Sequence, residues 1–158
     1  MGGVAPKPAL FLESKFILRY PELSPDGKWL AYVSTEAGTP EVYVQAFPAG
    51  GDKIRVSTNG ASEPIWTANG KELLFRSGAK FFSAAVRSTA PLRIDSAREL
   101  FESKPGEYDG TTPLRDWDAT ADGRRFVLAR VVQSKEQPVA HLNLIANWTR
   151  DLERRVPQ

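Results

Sequence analysis

Apolar residues in this chain fall in short, nearly continuous runs, not at helical spacing. Runs at 29–33, 73–75 and 126–129 predict strands, and each is followed by another run, at 41–47, 81–86 and 142–146. A short strand is predicted before each pair, at 20–23, 63–66 and 116–119. A strand with one wet face alternates apolar and polar residues, whereas a strand covered on both faces reads as an unbroken apolar run. The pattern therefore predicts sheets packed on both sides. Fourth strands are predicted at 54–57 and 98–101, and the tail at 148–156 has room for only one or two helical turns.

One motif joins the first and second strand of every group. It reads Ser24-Pro25-Asp26-Gly27-Lys28-Trp29-Leu30, then Thr67-Ala68-Asn69-Gly70-Lys71-Glu72-Leu73, then Thr120-Ala121-Asp122-Gly123-Arg124-Arg125-Phe126. Its chemistry is that of a turn. Glycine accepts the positive φ that other residues resist, and the Asp or Asn before it bonds nearby backbone. Successive copies begin 43 and 53 residues apart, the spacing of β-propeller blades. The fold expected is all-β: three propeller blades, half of a propeller. Blade 1 is placed at 16–58, blade 2 at 59–102, and a loop with an incomplete blade 3 at 103–148. An arm at 1–15 and a tail at 149–158 flank them.

The strand count is uneven. Blade 3 has no fourth strand, while Leu10-Phe11-Leu12-Glu13-Ser14-Lys15 resembles Leu100-Phe101-Glu102-Ser103-Lys104. Residues 10–14 thus read as an outer strand without a blade. Closed propellers have four to eight blades, so two copies would close a six-bladed ring. The expectation is a homodimer joined through blade faces and by exchange of the N-terminal strands.

Composition narrows the function classes. Of 158 residues 41% are hydrophobic and 25% charged, and the net charge of +2 comes from basic residues spread along the chain. Nucleic-acid binding needs a basic stripe or cluster, and none is visible, so no nucleic-acid partner is expected. The absence of cysteine excludes disulfides and thiolate metal sites. No apolar stretch reaches membrane length. Residues 9–12 are too short for a signal-peptide core and follow Pro6 and Pro8, so neither membrane insertion nor an export signal is expected.

Signals for chemistry are sparse. His141 is the only histidine, and no Gly-x-Ser-x-Gly elbow occurs, so no catalytic residue is assigned. Asp26, Asn69 and Asp122 supply one oxygen-bearing side chain per turn, whereas calcium wants six to eight oxygens. Asp109, Asp116, Asp118 and Asp122 lie closer together, and strand alternation sends Asp116 and Asp118 to one face. No metal or cofactor is expected. Trp29 and Trp66 read as packing residues, and 107–112 is the longest loop-like stretch, a connector or a binding loop. Propeller ligands sit at the central channel, lined by the first strands. Arg19, Glu63, Arg115 and Asp116 are polar there and are the ligand-binding candidates.

Ser24-Pro25-Asp26-Gly27-Lys28-Trp29-Leu30-Ala31-Tyr32 resembles the blade signature of TolB-type, WD-like propellers. Glu41-Val42-Tyr43-Val44, Phe47-Pro48, Val56-Ser57-Thr58, Pro64-Ile65-Trp66, Gly70-Lys71-Glu72-Leu73 and Asn147-Trp148 are similar to the C-terminal end of propellers attached to bacterial eukaryotic-like serine/threonine kinases. The resemblance covers roughly 10–156. It implies an extracytoplasmic propeller that senses a small molecule or a protein. This sequence holds neither a Gly-rich phosphate loop nor a His-Arg-Asp run, so kinase activity is not carried over. A second class remains open: the accessory propeller of a separately encoded hydrolase or peptidase, or a fragment acting only as a self-assembling scaffold. A neighbouring kinase or hydrolase reading frame discriminates between the first two.

Overall fold

The repeated motif folds into the same turn three times. In the first, Ser24 Oγ donates to Asp26 Oδ1 (2.6 Å), the Lys28 and Trp29 amides donate to Asp26 Oδ1 and Ser24 Oγ, and Ser24 N–H donates to the Trp29 carbonyl. Thr67 with Asn69, and Thr120 with Asp122, repeat these bonds atom for atom. Gly27, Gly70 and Gly123 take φ of 68°, 66° and 67°. Each turn thus meets its backbone hydrogen-bonding needs locally and sends the chain back on itself.

A computed structural model describes residues 7–89, 91–104 and 114–129. Among them every regular element is a strand, so the fold class is all-β. The first antiparallel sheet runs in the order β1 (Leu18–Leu23), β2 (Trp29–Ser34), β3 (Glu41–Ala46), β4 (Lys53–Arg55). The second comprises β5 (Ser62–Trp66), β6 (Glu72–Ser77), β7 (Lys80–Thr89), β8 (Leu92–Ile94) and β9 (Arg98–Glu102). The third pairs β10 (Trp117–Ala119) with β11 (Phe126–Leu128).

The unbroken apolar runs at 29–33 and 73–75 mean what their pattern implied, both faces covered, whereas the run at 126–129 is covered on one face and leaves Val127 69% exposed. In β2, Ala31 and Val33 turn to the second sheet and meet Leu73 and Phe75 of β6. Leu74 turns the other way and packs with Phe81 against Trp117 of the third sheet. The sheets therefore stack face to face in chain order. At roughly 25 cal/mol per Å2 of apolar area, burying such side chains is the main stabilising term.

Two details differ from the sequence reading. The outer edge of the second sheet is two strands: β8 pairs the far half of β7 from Thr89↔Leu92, and β9 pairs the near half up to Lys80↔Glu102. The fourth strand of the first sheet ends at Arg55, because the side chain of Ser57 takes over as acceptor for the Val42 amide. Residues 10–14, read as an outer strand without a blade of its own, join no sheet of this chain among the described residues. Phe11 and Leu12 instead lie against Leu30, Tyr32 and Tyr43 of the first sheet, with the Phe11 and Phe47 rings 4.9 Å apart. The segments 107–112, 142–146 and 149–158, together with His141, Asn147 and Trp148, lie outside the described residues. No helix of the described residues is long and apolar enough to cross a membrane.

Candidate functional site

The first strands carry the unusual backbone. Tyr20 in β1 and Glu63 in β5 have φ of 54° and 57°, and each precedes a proline. Positive φ costs a residue with a Cβ about 1–2 kcal/mol. Both sit at a break in register, between Arg19 and Glu22 in one strand and between Ser62 and Ile65 in the other. A bulge of this kind re-aims a side chain. Asp116 occupies the same place relative to the third turn: Tyr20, Glu63 and Asp116 each stand four residues before Ser24, Thr67 and Thr120.

These three residues share one electrostatic neighbourhood. The Tyr20 phenol titrates above its ordinary value, chiefly through burial and then through the negative charge of Glu63. Arg76 and Arg19 pull it back, and Asp116 adds to the rise. Glu63 is wholly buried, and its carboxylate is gripped from two sides by Arg76, Nε to Oε2 at 2.8 Å and Nη2 to Oε1 at 2.6 Å. Such a two-pronged pair is strong and directional. The third prong of the guanidinium donates to the Gly78 carbonyl at 3.2 Å, which locks Arg76 to its own hairpin.

Two further contacts draw the strands together. The Trp66 indole N–H donates to the Glu22 carbonyl at 3.2 Å, joining β5 to β1. Arg115, just before β10, reaches the Glu22 carboxylate at 3.3 Å and joins the third sheet to the first. The first strands of all three sheets thus converge on a patch bearing Arg19, Arg76 and Arg115 with Glu22, Glu63 and Asp116.

Of the residues singled out from sequence, Arg19 is exposed beside Tyr20, and Arg115 is tied to Glu22. Asp116 is half-buried, and its carbonyl accepts the Ala129 amide at 2.8 Å. Glu63 presents no open carboxylate; it holds Arg76 in place. Tyr20, Glu22 and Arg76 were missed. Tyr20 and Glu63 could have been paired by carrying the motif alignment upstream to their shared proline, and Arg76 stands in β6 directly after the apolar run at 73–75. Asp26, Asn69 and Asp122 spend their oxygens on their own turns, and the hydrogen bonds from Ser24 and Thr120 hold the two aspartates below their ordinary pKa. A separate cleft of about 390 Å3 opens at the opposite sheet edges, floored by the stacked rings of Phe75 and Phe82.

No protein-family model matches the sequence, and no curated protein matches it. What this patch does is read from its geometry.

Proposed function

We propose that the chain is a non-enzymatic propeller-type module that binds a ligand where its first strands converge, a half propeller closed to six blades by a second copy. The observation that carries this reading is the threefold turn on three face-to-face sheets, whose first strands bring Tyr20, Glu63 and Asp116 into one neighbourhood. Among the six charged residues of the patch, positive and negative are balanced, and the Glu63–Arg76 and Glu22–Arg115 pairs join opposite signs within it. A patch of this kind suits a zwitterionic small molecule or a polar peptide segment, and fixed donors and acceptors on rigid strands favour selective binding over turnover. The resemblance to kinase-attached propellers supports a sensing role.

The test is a thermal-shift screen of zwitterionic and anionic small molecules, followed by titration of the best binder. Arg19→Ala with Arg115→Ala is expected to weaken that binding about 10-fold or more, since charge-assisted hydrogen bonds are each worth about 1.5–3 kcal/mol. Undiminished binding by the double variant would place the ligand elsewhere, and turnover of a kinase or esterase substrate by the purified chain would refute the non-enzymatic reading.

A further inference from the structure

The first sheet has a face built to receive another sheet. Tyr32 and Tyr43 are cross-strand partners with stacked rings 6.0 Å apart. Phe75 and Phe82 are the same pair one repeat later, partners across β6 and β7 with rings 5.6 Å apart. In the second sheet this aromatic pair, together with Leu73, packs against the first sheet. In the first sheet the matching Leu30, Tyr32 and Tyr43 are covered, among the described residues, by Phe11 and Leu12 of the arm, Leu18 at the start of β1 and the loop residue Phe47. That cover leaves the face at most 9% exposed at Leu30, Tyr32 and Tyr43, while the arm itself is loosely held. Leu10 is 80% exposed, and a cleft of about 400 Å3 remains beside Leu12, Tyr32 and Gln45.

The complementary surface is on the third sheet. Val127 stands seven residues after the start of its turn, as Ala31 and Leu74 do after theirs. Ala31 packs on the second sheet and Leu74 on the third, so this position faces the next sheet in the stack. Val127 is 69% exposed.

We infer that the arm is a cap lying in cis on a docking face, and that the third sheet of a second copy displaces it. This rests on the dimeric reading above and adds what controls it. The contact is head-to-tail, and two copies related by a two-fold axis make it twice, which closes the assembly. A capped face is not competent to dock, and apparent affinity falls in proportion to the uncapped fraction. Loosening the arm therefore strengthens self-association.

Sedimentation of the full chain tests this. Phe11→Asp, which places a charge on the capped apolar face, is expected to tighten self-association about 10-fold or more, with an unchanged circular dichroism spectrum. The milder Leu12→Ala gives a smaller shift in the same direction and serves if Phe11→Asp does not fold. Adding Val127→Asp to either variant is expected to return the protein to monomer. If wild type dimerises and loosening the arm leaves association unchanged or weakens it, the cap is refuted while the dimer stands; weakening is what strand exchange demands. Monomers for every variant refute the cap and the dimeric reading together. Persistence of the dimer with Val127→Asp refutes the assigned face.

Discussion

The three turns form a controlled experiment on what glycine contributes. Gly27, Gly70 and Gly123 share the same φ within a few degrees, so replacement by alanine costs each about the same 1–2 kcal/mol of left-handed strain. Their surroundings differ. An added Cβ at Gly27 meets nothing within 4 Å, and at Gly70 it would lie 3.8 Å from Pro25 Cδ, an ordinary contact. At Gly123 it would lie 2.9 Å from Thr67 Cγ2. Thr67 cannot swing aside freely, because its hydroxyl is bonded to Asn69 Oδ1 and accepts the Glu72 amide. Gly123→Ala must therefore break the second turn or push the third sheet off the second, adding about 1–3 kcal/mol of overpacking cost. Urea unfolding followed by tryptophan fluorescence reads the difference as a midpoint shift at constant slope. Thr67→Ser removes Cγ2 and keeps the hydroxyl, and Ser24 already does this work in the first turn. It is expected to recover most of the extra cost in a double-mutant cycle. Equal destabilisation at Gly27 and Gly123, or no recovery with Thr67→Ser, would refute the proposed seating of the third turn on the second.

Arg76→Met leaves the Glu63 carboxylate buried without its counter-charge, at a cost of about 3–5 kcal/mol, and adding Glu63→Gln regains part of it; a loss below about 1 kcal/mol in urea unfolding would show that the pair is solvated. Tyr32 is pushed up to about 12, mainly by burial. An unfolded tyrosine ionises near pH 10, so between those values the folded chain holds the proton more tightly. Its contribution is complete below about pH 10 and is lost as pH rises towards 12; Tyr32→Phe is expected to flatten that part of the alkaline stability profile, and matching profiles would refute the assignment.

Local rules were enough for the turns and the strands. Ser24-Pro25-Asp26-Gly27 and its two copies specify their own geometry, because every bond of the turn lies within six residues. The runs at 29–33 and 73–75 announced two-sided burial, since no alternation of polar residues interrupts them. Other features depended on distant contacts. Residues 10–14 carry the apolar pattern of an outer strand; that Phe11 and Leu12 lie against the face of the first sheet within one chain is a contact between distant positions, which no local pattern announces. Glu63 reads as a channel charge until the hairpin of β5 and β6 brings Arg76, 13 positions away, onto both its oxygens. Tyr20, Glu63 and Asp116 lie far apart along the chain and act on one another only because stacking three sheets draws their first strands together. A turn closes through neighbours in sequence and is written there; a charged cluster closes through space, and only the packing of the sheets decides it.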